Sequence, residues 1–132
     1  MLRFSSEKPP ENAVVVDFDN TIMNYEVTED LTEEGPLVPG VKEALQQLKD
    51  KGCYIIVSSS RTASYWPGQN RDGQWKFIEN YLTKNEVTFD EIWASDKPVA
   101  IAYIDDRAHK VEFAEDRSNW AEIVDKIEPK EE

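Results

Sequence analysis

The sequence predicts an α/β fold, a three-layer Rossmann-like sandwich with a central, mainly parallel sheet between helices. Three observations predict it. Short apolar runs rich in β-branched residues recur at 14–17, 53–57 and 99–106, the pattern of strands buried on both faces. Segments of helical period alternate with them, and βαβα alternation implies parallel pairing through crossovers. Each of these runs also ends in hydroxyl or acidic residues, as strands do when they deliver side chains to one edge of a sheet.

The elements follow in order. Residues 1–12 read as an N-terminal extension, and 14–17 as the first strand, apolar on both faces. The acidic stretch 22–38, closed by Gly35, Pro36 and then Pro39, predicts a flap-like loop or small hairpin. Val41, Ala44, Leu45 and Leu48 share one helical face, and Gly52 stops that helix. The second strand, 53–57, runs directly into Ser58, Ser59, Ser60 and Arg61. An irregular loop over 62–73, rich in turn formers, precedes a helix from about 74 to 84 with Trp75, Ile78, Tyr81 and Leu82 inward. Residues 89–94 make a short third strand and 99–106 the fourth, which ends in Asp105 and Asp106; 110–113 is a candidate fifth. A last helix spans 120–127, and 128–132 is expected to fray.

Length and composition frame the chemistry. A chain of 132 residues fits a single domain with one core. Its formal charge of −12 excludes a non-specific electrostatic grip on nucleic acid, which needs Lys and Arg against phosphates. Cys53 is the lone cysteine; at the mouth of a strand it reads as a packing thiol and suits a reducing compartment. No apolar run resembles a signal peptide or approaches membrane-spanning length, so a cytoplasmic protein without a membrane partner is expected.

Ligands of parallel α/β sheets bind beyond the carboxyl ends of the strands. Asp17 and Asp19 leave the first strand there, Ser58 to Arg61 the second, and Asp105 and Asp106 the fourth. Converging carboxylates repel one another unless a cation sits among them. Magnesium suits hard oxygen ligands and is commonly bound by one or two carboxylates together with a substrate phosphate.

These motifs closely resemble those of the haloacid dehalogenase-like superfamily of phosphotransferases. "DFDNTI" resembles its first motif and "IIVSSSR" its second, with Ser59 the best alignment and Ser58 the alternative. Lys97 in "SDKP" resembles the third and "YIDD" the fourth, so the likeness runs from about residue 13 to 107. Asn20 replaces a frequent glycine but tolerates the same left-handed backbone. The resemblance implies that Asp17 is the nucleophile and Asp19 the general acid and base. Ser59 and Lys97 would stabilise the phosphoryl group. It also implies a magnesium ion held by Asp17, the backbone carbonyl of Asp19, and Asp105, with Asp106 an alternative ligand or a partner behind it. A phosphate receiver domain offers similar residues, but its acidic pair precedes its phospho-acceptor, the reverse of the order here.

Neither gap between motifs has room for a cap domain, so the resemblance implies a capless member. The expected function is magnesium-dependent hydrolysis of a phosphomonoester through an aspartyl-phosphate on Asp17. A nucleic-acid end phosphatase or nucleotidase is one alternative, and a catalytically idle phosphate-binding or regulatory domain is another. The expected partner is a phosphorylated small molecule or an exposed phosphorylated terminus. Candidate substrate contacts are Asn20, Ser60, Arg61, Tyr65, Trp66 and Arg71. Arg61 is the expected phosphate or leaving-group ligand. Tyr65 and Trp66 are placed to stack on a base or sugar, unless Trp66 packs beneath its loop.

Overall fold

β-Branched residues favour extended chain, and the first two predicted strands form neighbours in one sheet. The computed structural model describes residues 2–3, 9–63, 66–93 and 107–129. Within them the order is β1 (Leu2–Arg3), β2 (Ala13–Asp17), α1 (Val41–Asp50), β3 (Tyr54–Ser58), α2 (Gly68–Lys84), β4 (Glu91–Trp93) and α3 (Trp120–Lys126), with a 3-10 turn at Ser60–Thr62. The sheet runs β1-β4-β3-β2 and is parallel throughout. The architecture is α/β and Rossmann-like in its crossovers. The predicted strand at 99–106 lies outside the described residues, as do Tyr65, Lys97, Asp105 and Asp106. Among the described residues, no helix is long and apolar enough to cross a membrane.

Two successive crossovers carry the chain from β2 to β3 to β4 in one direction, which puts α1 and α2 on the same face. Side chains alternate along a strand, so Val14, Val16, Ile55, Val57 and Ile92 share that face and join the core with Leu45, Leu48, Ile78, Leu82, Ile123 and Val124. The four apolar residues predicted for the inner face of α1 are all buried there. Cys53 is buried as a packing thiol, and burial pushes its pKa up.

Several sequence expectations shift. The first strand is not buried on both faces: Val15 is 60% exposed. It points away from the helices, on a strand that stands at the edge of the described sheet. Part of the predicted N-terminal extension is strand, because Leu2–Arg3 pairs with the open edge of β4. α2 begins at Gly68, inside the predicted loop. Pro67 sets that start, its carbonyl accepting from the amides of Asn70 and Arg71. Gly68 and Gly73 then give the first turns no apolar period to read. Residues 110–113 form no strand. Phe113 instead bridges to Ser118, and the Asn119 side chain ties that turn through Lys110 and Glu112.

The flap is a hairpin-like fold-back. Met23 bridges antiparallel to Leu37, while the amides of Asn24 and Val38 donate to the carbonyls of Pro36 and Ile22. Gly35 is required at the contact, since a Cβ there would stand 2.0 Å from the Asn24 carbonyl oxygen. The Tyr81 hydroxyl closes the base of the flap by donating to the Gly35 carbonyl at 2.8 Å.

Burial holds the Tyr81 hydroxyl well above the ordinary tyrosine range, with Glu34 adding to the shift. The folded chain therefore keeps this proton more tightly than the unfolded chain. Its contribution is complete below about pH 10 and is lost as pH rises toward the folded value. Urea unfolding from pH 8 to 11 should show stability falling above about pH 10, with a smaller fall in Tyr81→Phe. The same replacement should cost about 1 kcal/mol at neutral pH by removing the bond to Gly35.

Candidate active site

Parallel register carries the first two motifs to one edge. β2 and β3 pair from Ala13↔Tyr54 through to Asp17↔Ser58, so Asp17 and Ser58 end the two strands side by side. Beyond Asp17 the chain turns tightly, and the Phe18 carbonyl receives the amides of Ile22 at 2.9 Å and Met23 at 3.1 Å. Phe18 itself points into the core, fully buried, with its ring edge-on to Phe77 and Tyr81. That leaves Asp17 and Asp19 on either side of a packed residue, half-buried at the sheet edge.

The turn depends on Asn20. Its φ of 59° is the left-handed conformation expected for this residue. Its side-chain oxygen accepts from the Tyr25 amide at 2.8 Å. The Asn20 side chain, a candidate substrate contact, is thus engaged in shaping the flap. Thr21 donates to Asp17 Oδ2 at 3.4 Å, a local tie for the carboxylate.

Past β3, Ser59 caps the 3-10 turn, its Oγ accepting from the Arg61 amide at 3.1 Å. The hydroxyl proton of Ser59 is not spent in that bond. Ser60 gives its carbonyl to Trp66 Nε1 at 2.9 Å. Trp66 is 40% exposed, so it does not pack beneath its loop. Arg71 donates through Nε to the Thr62 carbonyl at 2.6 Å.

Arg61 occupies a different position from the one expected of a phosphate ligand. It is only 3% exposed, and its fork grips Asp19 with Nε to Oδ2 at 2.9 Å and Nη2 to Oδ1 at 2.7 Å. Nη1 donates to the Leu31 carbonyl at 3.1 Å and to Gln74 Oε1 at 3.0 Å. Phe18, Tyr25 and Phe77 surround the guanidinium with ring centroids at 5.4, 5.4 and 4.9 Å, close enough for cation–π attraction. The planar five-donor fork explains why Arg fits here and Lys would not. Leu31 and Gln74 are site residues that sequence reasoning missed. A flap carbonyl has no sequence signature, and Gln74 marked only the start of a helix.

Two of the three expected groups therefore meet at this edge, and the third lies outside the described residues. Among the described residues no three His, Cys, Asp or Glu side chains gather as a metal site. A cleft of about 520 Å³ opens beside Arg61, between Leu31 and Thr32 of the flap and the first turns of α2.

Comparison with known proteins adds the fold but no activity. No family model matches the chain, and no curated protein matches it. The crystal structure of an MCSG target from Vibrio cholerae is similar, with 28% sequence identity and a TM-score of 0.63 over 75% of this chain and 83% of that one.

Removing one partner from a buried ion pair leaves a charge without compensation, at a cost of about 3–5 kcal/mol. Asp19→Ala should therefore lower unfolding stability by roughly 3 kcal/mol in a urea titration. An unchanged midpoint would show that the pair contributes nothing to the fold.

Proposed function

We propose that the chain is a magnesium-dependent phosphomonoester hydrolase of the capless haloacid dehalogenase-like type, with that superfamily's three-layer core. The observation that carries this reading is the meeting of Asp17, the first strand's terminal carboxylate, with Ser58 of the next strand. Asp19 stands two residues further on, in the grip of Arg61.

The residues at hand fit a hard divalent ion in part. Asp17 offers a carboxylate, and the Asp19 backbone carbonyl accepts no hydrogen bond among the described residues. By resemblance, Asp17, that carbonyl, and Asp105 or Asp106 would hold magnesium, which when bound offsets charge on the phosphoryl oxygens.

The chemistry then belongs to the side chains. A carboxylate oxygen of Asp17 attacks phosphorus, the ester P–O bond breaks, and an aspartyl-phosphate forms. Asp19 gives its proton to the leaving oxygen and later takes one from the water that attacks the same phosphorus, releasing phosphate and restoring Asp17. Ser59 supplies a hydroxyl donor and Lys97 a positive charge to the phosphoryl oxygens. Arg61 aims the Asp19 carboxyl. Because its fork occupies both Asp19 oxygens, proton transfer there requires one of the two bonds to yield.

That same grip favours a second reading, a catalytically idle phosphate-binding domain, since a carboxylate held at both oxygens is poorly placed to carry a proton. Turnover separates the two. With magnesium, the chain should hydrolyse an aryl phosphate, and a chelator should silence it. Asp17→Asn should cut the rate by roughly a thousandfold or more, as loss of a nucleophile does. Phosphate binding by calorimetry without any turnover would favour the idle domain. Undiminished activity in Asp17→Asn would remove the nucleophile assignment.

A further inference from the structure

We infer that the cleft between the flap and the first turns of α2 is a leaving-group subsite for an uncharged ring with hydrogen-bonding groups on its edge, as a nucleoside or a sugar presents. The inference rests on the phosphomonoesterase reading of Asp17. At about 520 Å³ the cleft has the size of a small-ligand site. Arg61 joins its wall to Asp19, the proposed proton donor to the leaving group.

Its lining selects the chemistry. The Trp66 indole, 40% exposed and fixed by its bond to the Ser60 carbonyl, offers a flat apolar wall. Gln69 and Asn70 bring exposed side-chain amides that make no hydrogen bond among the described residues. Each amide carries donors and an acceptor, suited to a ring's polar edge.

The charge around the cleft argues against a second phosphate. Among the described residues of the lining Arg61 is the one cation, and its charge is committed to Asp19. Glu29, Asp30, Glu33 and Glu34 flank Leu31 and Thr32 on the flap, and among the described residues only Glu34 has a lysine, Lys84, against it. This rim repels a polyanion such as a nucleic-acid terminus.

Gly73 is the second, independent observation. Glycine is, after proline, the least favourable residue in a helix interior, yet one stands in α2 on the cleft wall. Packing does not demand it, because a Cβ there would meet nothing within 4 Å. Its effect is to keep that wall open.

The test uses the full chain with magnesium. Calorimetry compares nucleosides and hexoses with glycerol, and kinetics compares nucleoside monophosphates, hexose phosphates, glycerol phosphate and a 3′-phosphorylated oligonucleotide. A ring-bearing ester should have a KM about tenfold below that of glycerol phosphate, and Trp66→Ala should erase most of the difference. The oligonucleotide should be the poorest substrate. Gly73→Leu, which improves helix propensity, should keep or raise the melting temperature while abolishing ring binding. The nucleoside and hexose arms tell which source the ring comes from. Equal KM values with and without a ring, a preferred oligonucleotide, or ring binding untouched by Gly73→Leu would each overturn the subsite. Aryl phosphate turnover without ring binding would sink the subsite and leave the hydrolase reading standing. Ring binding that Gly73→Leu abolishes, in a chain without turnover, would keep the ring site but overturn both the hydrolase reading and the leaving-group role that rests on it.

Discussion

A buried guanidinium sets the terms for this structure. Burying an uncompensated charge costs several kcal/mol even after relaxation, so Arg61 dictates what must surround it. Asp19 answers the charge, the Leu31 carbonyl and Gln74 take further donors, and three ring faces close over the plane. Those partners come from the loop after β2, the flap and α2. One side chain thereby ties together three segments that the backbone connects only at a distance. The pair need not add net stability over an apolar core of equal volume. Its directional donors instead permit few arrangements of the loop, the flap and α2.

The sheet explains why such a charge can be held at this place. Parallel strands end together at one edge, and the backbone groups there are no longer used by the ladder. The register Asp17↔Ser58 brings the two polar termini level. The apolar residues that precede them, Val16 and Val57, stay in the core. Packing below and polarity above meet within one residue, and Phe18 marks the seam. Its ring belongs to the core, while its carbonyl organises the turn that presents Asp19.

The sequence made legible whatever repeats locally. Helical spacing identified the buried face of α1 residue for residue, and Asn20 announced its left-handed turn. Less legible were features that depend on distant partners. Arg61 and Asp19 stand 42 residues apart, and nothing near either one names the other. A clue existed: an Arg directly after a hydroxyl run at one strand end, with an acidic pair at the end of the neighbouring strand. Reading it requires the register first. Val15 misled because β-branched residues look alike on a covered and an uncovered face. The early turns of α2 were hidden because Gly68 and Gly73 contribute no apolar periodicity, and Pro67 alone marked the start. The fourth-motif acids and Lys97 lie outside the described residues, so that part of the resemblance stays a proposal.

Charge accounting gives the ion pair a consequence for chemistry. An arginine beside two acids invites the reading that it also greets an incoming phosphate. The geometry argues otherwise, since all of its polar donors that are described point at Asp19, Leu31 and Gln74. A phosphomonoester dianion approaching Asp17 thus gains little from Arg61 and meets a chain whose formal charge is −12. Low local dielectric makes that repulsion stronger than in water. A nucleophilic role for Asp17 consequently needs positive charge from another source, which is what Lys97 and a divalent ion supply in the proposed mechanism. On that reading the buried pair leaves Arg61 little charge to offer the phosphoryl oxygens, so their compensation falls to groups other than Arg61.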